Sequence, residues 1–261
     1  MLSLAAINIP TDETVEKLRL LDYLSRVERS HYERVRNHEL RRRWISGRLA
    51  AKHLLLSEMG SVRASRSRGL RWTDLTEIKE FPPWLYREME ILRLQPQDRF
   101  PGVTWAGRAH FSHISLSYTH QFAVVCCDHA GMVGVDVDIP SRRHAAFYRK
   151  TFSAGERAWA EKLSRSAAVD TDWAYSILWC LKESVLKAKS SPEITLWQLP
   201  RIEVQPRFEL AEMIASLRSR SKQRPLVFGE VEVCDDEQSR IGEVTLAVMD
   251  HAVLTALRLQ S

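Results

Sequence analysis

Two short segments of the chain carry carboxylates and a lysine at spacings that suit metal-assisted chemistry. In the first segment, apolar residues alternate with Asp136 and Asp138, which places both aspartates on one face of a predicted strand whose other face is buried. In the second segment, Glu183 and Lys187 stand four residues apart and therefore share one face of a predicted helix. We expect the three carboxylates to hold Mg²⁺, which prefers hard oxygen ligands, with the lysine beside them.

The residues around the aspartates favour this interpretation over an ordinary acidic strand. Val133, Val135, Val137 and Ile139 make the strand internal, where unpaired carboxylates are costly and repel one another, so that a cation is the natural compensation. Two simpler alternatives stay open. The aspartates can belong to the exposed face of an edge strand, and the glutamate and lysine of the helix can form a surface ion pair.

Composition narrows the class of protein. The 261 residues, 44% of them hydrophobic, suffice for one large domain or for two of about 130 residues each. A net charge of +5 indicates an anionic ligand or partner. We expect a cytoplasmic protein, because the N-terminus lacks a signal-peptide pattern and no apolar run is long enough to span a membrane. The four cysteines contain no C-x-x-C pair and are interpreted as reduced, mostly buried thiols.

The periodicity of apolar residues predicts a mixture of strands and helices. Strands are predicted at 2–8, in two segments within 111–127, around 136, near 202–204, and at 226–234 and 243–249, with a last apolar segment at 253–257. Helices are predicted from Thr11 onward to about 24, at 32–59, 84–94, 172–189 and 210–218, with a short helix after Arg143.

Two further features allow both a structural and a functional interpretation. Ser153 and Glu156 fit the helix-start pattern in which each side chain accepts a backbone N–H of the other residue, so the glutamate is either a cap or a site residue. The helix that contains residues 41–52 is rich in arginine. Its basic face is either simply solvated or a binding surface for phosphate or carboxylate groups.

The motifs together resemble those of the 4'-phosphopantetheinyl transferase family. Residues 134–138 resemble its G-(I/V)-D-(I/V)-(E/D) motif, and residues 179–187 resemble its W-x-x-K-E-(A/S)-x-x-K motif. The spacing of the two motifs is similar to that of the larger, monomeric class that activates surfactin synthetase. Upstream, residues 114–117 are similar to the family's L-S-H-S segment, residues 43–48 resemble its N-terminal basic helix, and residues 107–108 stand where many members have Gly-Lys-Pro.

The resemblance implies an α+β fold with two similar α/β halves, related by a pseudo-twofold axis, and a ligand cleft between them. The halves would be an N-terminal half, 1–130, with the basic helix and coenzyme A contacts, and a C-terminal half, 131–261, with the metal site and the W-x-x-K-E helix. It implies an enzyme that transfers 4'-phosphopantetheine from coenzyme A to a serine of an acidic acyl or peptidyl carrier protein and releases adenosine 3',5'-bisphosphate. It would be a monomer that needs neither nucleic acid nor membrane.

The resemblance also implies roles for individual residues. The Mg²⁺ ligands, with Mn²⁺ as an alternative ion, would be Asp136, Asp138 and Glu183. Catalysis would involve Glu183, Lys187 and Glu156, the last aligned with a residue that acts as a base for the serine or as a further metal contact through water. Contacts to coenzyme A would come from Arg48, Arg108, Ser117, His120, Lys182 and Lys187, with the alternative that Lys182 simply supports the helix.

The chain departs from the family pattern at two of these positions. Leu116 stands where the family has histidine, with His113 and His120 nearby, and Asp138 replaces the commoner glutamate. Two other functions are compatible with the residues. A Mg²⁺-dependent nuclease also needs carboxylates and a lysine near a metal, although its usual lysine follows the glutamate on a strand. A non-catalytic protein would use the basic helix to bind an acidic domain or RNA.

Overall fold

A computed structural model describes residues 2–60, 70–92, 101–110, 113–129, 131–189, 196–219, 226–234, 239–249 and 251–259. The chain divides into two compact units, Met1–Ala130 and Gly131–Ser261. Both units mix helices with mainly antiparallel sheets, which confirms the α+β class. No helix of the described segments is both long and apolar enough to cross a membrane.

The first unit, hereafter unit 1, contains two sheets. Its elements are β1 (Ser3–Asn8), α1 (Asp12–Lys17), α2 (Arg26–Arg34), α3 (His38–Gly60), β2 (Leu70–Trp72), α4 (Pro83–Arg87), β3 (Met89–Leu92), β4 (Gly102–Trp105), β5 (Arg108–His110), β6 (His113–Tyr118) and β7 (Phe122–Asp128). The strand orders are β2-β1-β7-β6 and β3-β4-β5. Helix α3 packs against β1 and β7 and buries the main core of the unit.

Three helix predictions in unit 1 needed correction. The helix predicted over 32–59 is two helices, because Val35 after α2 is extended. The helix predicted from Thr11 to about 24 ends early, since Arg19 has a φ of 53°, and a short 3-10 turn follows at Leu20–Tyr23. The helix predicted over 84–94 ends at Arg87 and gives way to β3, whose alternating burial suits a strand paired with β4.

The second unit, unit 2, contains one sheet. Its elements are β8 (Met132–Asp138), α5 (Ala145–Thr151), α6 (Ala154–Ala167), α7 (Thr171–Lys189), β9 (Glu203–Arg207), α8 (Leu210–Arg218), β10 (Val227–Cys234), β11 (Ser239–Met249) and β12 (Ala252–Leu259). The strand order is β8-β12-β11-β10-β9, antiparallel throughout. Helix α7 packs against β8 and β12. The strand around Asp136 and the helix predicted over 172–189 are confirmed.

A buried ion pair joins three elements of unit 2. Lys182 of α7 lies 2.9 Å from Glu156 of α6, and neither side chain is exposed. The lysine Nζ also donates to the carbonyl oxygens of Thr151 and Leu199, at 2.8 and 3.2 Å. The glutamate accepts the backbone N–H of Val204 in β9. Burial lowers the pKa of Lys182, while the carboxylate beside it acts in the opposite direction and favours the charged ammonium.

Glu156 is also the third residue of helix α6 and forms a capping box with Ser153. The predicted helix-capping role of Glu156 is therefore confirmed. Its carboxylate accepts the backbone N–H of Ser153 at 2.7 Å, and the serine Oγ accepts the backbone N–H of Glu156 at 3.1 Å. One carboxylate therefore satisfies the start of α6, a strand N–H and a buried lysine together.

Unit 1 contains the same network. Lys52 of α3 is paired with Glu28 of α2, again with both side chains buried, and the glutamate forms a capping box with Ser25. The carboxylate accepts the backbone N–H of Ile91 in β3. Lys52 donates to the carbonyl oxygens of two residues, Tyr23 and Tyr86. The spacing along the chain is the same in both units. The first carbonyl that accepts from the lysine lies two residues before the capping serine. The second lies five residues before the strand residue whose N–H donates to the glutamate.

The cysteines are free thiols, as the sequence indicated. Cys126, Cys127 and Cys180 are buried and Cys234 is partly exposed. Burial raises the pKa of Cys127 to about 12, so this thiol stays protonated at neutral pH.

Replacing the lysine of either network is predicted to destabilise the protein strongly. Lys182→Met leaves a buried carboxylate without its cation, and we expect the free energy of unfolding to fall by about 3–5 kcal/mol; Lys52→Met should act similarly. Urea unfolding followed by circular dichroism measures the change. The control is Arg165→Met, which removes the exposed partner of Glu161 on α6 and should change stability little. Equal effects at Lys182 and Arg165 would contradict the prediction.

Candidate active site

The candidate site depends on an unusually close contact between strand β8 and helix α7. A Cβ atom placed on Gly134 would lie 1.8 Å from the carbonyl oxygen of Ser184 and 2.8 Å from the backbone nitrogen of Ala188. Only glycine fits there. Because Gly134, Asp136 and Asp138 alternate along the strand, they share the face that lies against the helix.

The helix meets the strand with a row of small side chains four residues apart, Ser176, Cys180, Ser184 and Ala188. The hydroxyl of Ser184 donates to the carbonyl oxygen of Thr255 in β12 at 3.0 Å. Burial raises the pKa of the Cys180 thiol well above its ordinary value, and the nearby aspartates add to this shift. The small residues let the helix backbone approach the sheet, and the neighbouring helical row carries Glu183 and Lys187.

Asp136 faces the lysine of the second motif. Its Oδ1 lies 2.7 Å from Lys187 Nζ, which also donates to the carbonyl oxygen of Val135 at 3.0 Å. The side chains are largely buried, at 9% exposed for the aspartate and 17% for the lysine. The predicted proximity of these two residues is therefore present, as an ion pair between strand and helix.

Asp138 faces a different cation. Nη2 of Arg143 lies 3.2 Å from its Oδ2, and the hydroxyl of Ser176 donates to the same oxygen at 2.9 Å. Burial raises the pKa of Asp138, and Asp136 adds to the rise, whereas the serine and the arginine lower it. The arginine and serine were not among the predicted site residues. The sequence showed Arg143 only as a basic residue before a short helix.

Glu183 lies in α7 one turn before Lys187 and is 9% exposed. With the two aspartates it forms a donor set of hard oxygens, and this chemistry fits Mg²⁺ or Mn²⁺. In the described residues, however, no three or more His, Cys, Asp or Glu side chains are grouped as a metal site. Asp136 and Asp138 are instead turned toward lysine and arginine.

Glu156 and Lys182 are paired with each other in the interior of unit 2. Both side chains are fully buried, and both are held by backbone groups of α6, β9 and adjoining turns. A base for an incoming serine, or a contact to a cofactor, needs an accessible atom. The burial therefore favours the structural alternative for each of the two residues.

The remaining predicted residues belong to unit 1. Arg48 is 9% exposed; it donates to the carbonyl oxygen of Ile91 and the hydroxyl of Tyr118, and its guanidinium lies over the ring of Trp44. Ser117 is buried in β6. The other two, Arg108 and His120, are exposed. Arg108 follows the turn that joins β4 to β5, where Gly107 has a φ of 76°.

Comparison with known proteins finds a family match that lies within unit 2. Residues 132–247 match the model of the 4'-phosphopantetheinyl transferase superfamily, and no curated protein matches the chain. The matched segment begins at β8 and contains both aspartates and the whole of α7; the three upstream segments that resemble the family lie outside it. This match of unit 2 supports a transferase of the phosphopantetheinyl transferase kind.

Gly134→Ala is predicted to disrupt the packing of α7 on β8. The added methyl group meets helix backbone, which cannot rotate away as a side chain can, so we expect a loss of at least about 3 kcal/mol or failure to fold. Gly155→Ala is the control, because its Cβ would meet side-chain oxygens and no backbone atom: that of Glu203 at 3.2 Å and that of Ser153 at 3.7 Å. Thermal unfolding compares the two variants, and equal melting temperatures would contradict the close contact.

Proposed function

We propose that this protein transfers the 4'-phosphopantetheine group of coenzyme A to a serine of an acyl or peptidyl carrier protein and releases adenosine 3',5'-bisphosphate. The observation that carries the proposal is the placement of Asp136 and Asp138 against the helix of Glu183 and Lys187, within the segment that matches the superfamily. Strand and helix supply charged groups of both signs at one place, which a reaction at a pyrophosphate requires.

Asp136, Asp138 and Glu183 are the residues that would hold Mg²⁺, with Mn²⁺ as an alternative. A bound divalent ion would neutralise charge on the pyrophosphate oxygens of coenzyme A. Lys187 would stabilise negative charge that develops on the departing phosphate, and the partial exposure of its side chain supports this role.

The other predicted roles are revised by burial. Arg108 and His120 stay candidates for contacts to the phosphates of coenzyme A, since both are exposed. Arg48 and Ser117 are buried in unit 1 and are less suited to direct contact. Lys182 and Glu156 are assigned to the framework, and the proton of the serine hydroxyl is left to a group other than Glu156.

The acceptor is proposed to be an acidic carrier domain. The chain carries 38 lysines and arginines against 33 aspartates and glutamates, and complementary charge favours association with an acidic partner. We further infer that the two units are similar halves of one architecture, because each contains the same buried Ser-Glu-Lys network at matching positions.

The transfer itself is tested by intact-mass spectrometry of an apo carrier protein incubated with this protein, coenzyme A and Mg²⁺. We expect a mass gain of one phosphopantetheine that EDTA abolishes. Asp136→Ala should slow the transfer at least about 100-fold, because it removes a proposed ligand of the ion. Glu161→Gln, on the exposed face of α6, is the control and should retain activity. No gain with fatty-acid, polyketide and peptidyl carriers alike would refute the transferase and favour a binding protein.

The framework assignment of Glu156 predicts that the double variant Glu156→Gln/Lys182→Met remains active. Removing both charges leaves no unpaired buried ion, so the fold should recover relative to either single variant, and the transfer rate should stay within about tenfold of the parent. A catalytic base would instead cost about 100-fold or more. Rates measured only on folded protein, checked by circular dichroism, separate the two roles.

A further inference from the structure

The guanidinium of Arg143 has several partners besides Asp138. Its carbon lies 4.8 Å from the ring centroid of Phe147 and 4.6 Å from that of Trp179, distances at which a cation is attracted to an aromatic face. The backbone N–H of Arg143 donates to the hydroxyl of Tyr148 at 3.0 Å. Asp138 is therefore one of several groups that hold Arg143, and the two aromatic rings offer its guanidinium partners other than the carboxylate.

The same arginine is partly exposed. Arg143, Asp138 and Trp179 line one depression in the surface of unit 2, and the side chains of the arginine and aspartate are 27% and 19% exposed. The ion pair is therefore in contact with solvent, from which an ion can approach.

The charges of the site argue for a movement of the arginine. Asp138 already faces one cation, the guanidinium of Arg143, and Asp136 faces Lys187. A divalent ion bound at Asp138 with the guanidinium still in place would lie beside a like charge, which is unfavourable. If the arginine leaves Asp138, this repulsion is relieved and the carboxylate is available to the ion.

We propose that Arg143 is an internal competitor of the divalent ion: it occupies Asp138 when no ion is bound and moves away from that carboxylate when the ion binds. The proposal rests on the proposed function in one respect, that Asp138 is a metal ligand. Arg143 is thus a residue that sets the affinity of the site for its ion, and it acts through Asp138.

The test is direct titration with Mn²⁺, followed by electron paramagnetic resonance of the free ion, in the absence of coenzyme A. We expect Arg143→Gln to bind Mn²⁺ roughly tenfold more tightly than the parent protein, the order of effect of one partly exposed ion pair. Arg143→Lys keeps the charge and should stay within about threefold of the parent. Arg142→Gln is the matched control: the same charge is lost at an exposed neighbour that is not paired with Asp138 in the described contacts, and the affinity should change less than twofold.

Each outcome decides the proposal. Equal or weaker Mn²⁺ binding by Arg143→Gln, equal gains in Arg142→Gln and Arg143→Gln, or no binding by any variant would overturn it. The carrier-protein assay on the same samples keeps the two hypotheses apart. Tighter Mn²⁺ binding by Arg143→Gln without any phosphopantetheine transfer would support the competition by Arg143 and refute the transferase activity. Transfer with an unchanged Mn²⁺ affinity in Arg143→Gln would support the transferase activity and refute the competition.

Discussion

The buried pair of Lys182 and Glu156 is the interaction on which the candidate site depends. The lysine is the residue before Glu183 in α7, and it is paired with Glu156 of α6 and bonded to two backbone carbonyls, while Glu156 accepts the N–H of Val204 in β9. These contacts fix the rotation of α7 about its own axis. That rotation turns the small residues toward the sheet and places the row of Glu183 and Lys187 beside β8, so the buried ion pair orients the groups of the candidate site.

The two units share the network but not the acidic site. The β6–β7 hairpin of unit 1 and the β11–β12 hairpin of unit 2 can be aligned at their closing pairs, Thr119 with Phe122 and Met249 with Ala252. In this alignment β1, which pairs with β7, corresponds to β8, which pairs with β12. The residues of β1 that correspond to Asp136 and Asp138 are Ala5 and Ile7, which are both apolar and buried. The buried Ser-Glu-Lys network thus occurs in both units, whereas the two strand aspartates occur in unit 2 and not at the corresponding positions of unit 1. The capping box and the lysine recur with the framework of each unit, whereas the two aspartates at the matching strand positions belong to unit 2, as expected if they serve the proposed function and not the fold.

Much of the fold was predictable because its signals are local. Alternation marked the strand of Asp136, helical periodicity marked α7, and the serine-glutamate spacing marked the start of α6. The helix predicted over 84–94 failed because four residues of β3 are too few for periodicity to distinguish strand from helix. The partners of Glu156 and Asp138 escaped prediction for another reason. Lys182 and Arg143 are charged residues without a distinctive spacing, and only the tertiary structure brings each beside its carboxylate.

The charge balance of the site also bears on its stability. Carboxylates this deeply placed would destabilise the unit if they faced only one another. Asp136 has Lys187 and Asp138 has Arg143, so the two aspartates are neutralised by the chain itself and the fold of unit 2 does not depend on an ion to compensate them. These internal ion pairs would weaken the binding of a metal ion, since any such cation must compete with Lys187 and Arg143 for the carboxylates. A divalent ion at this site would therefore bind more weakly than at the same carboxylates without their internal partners.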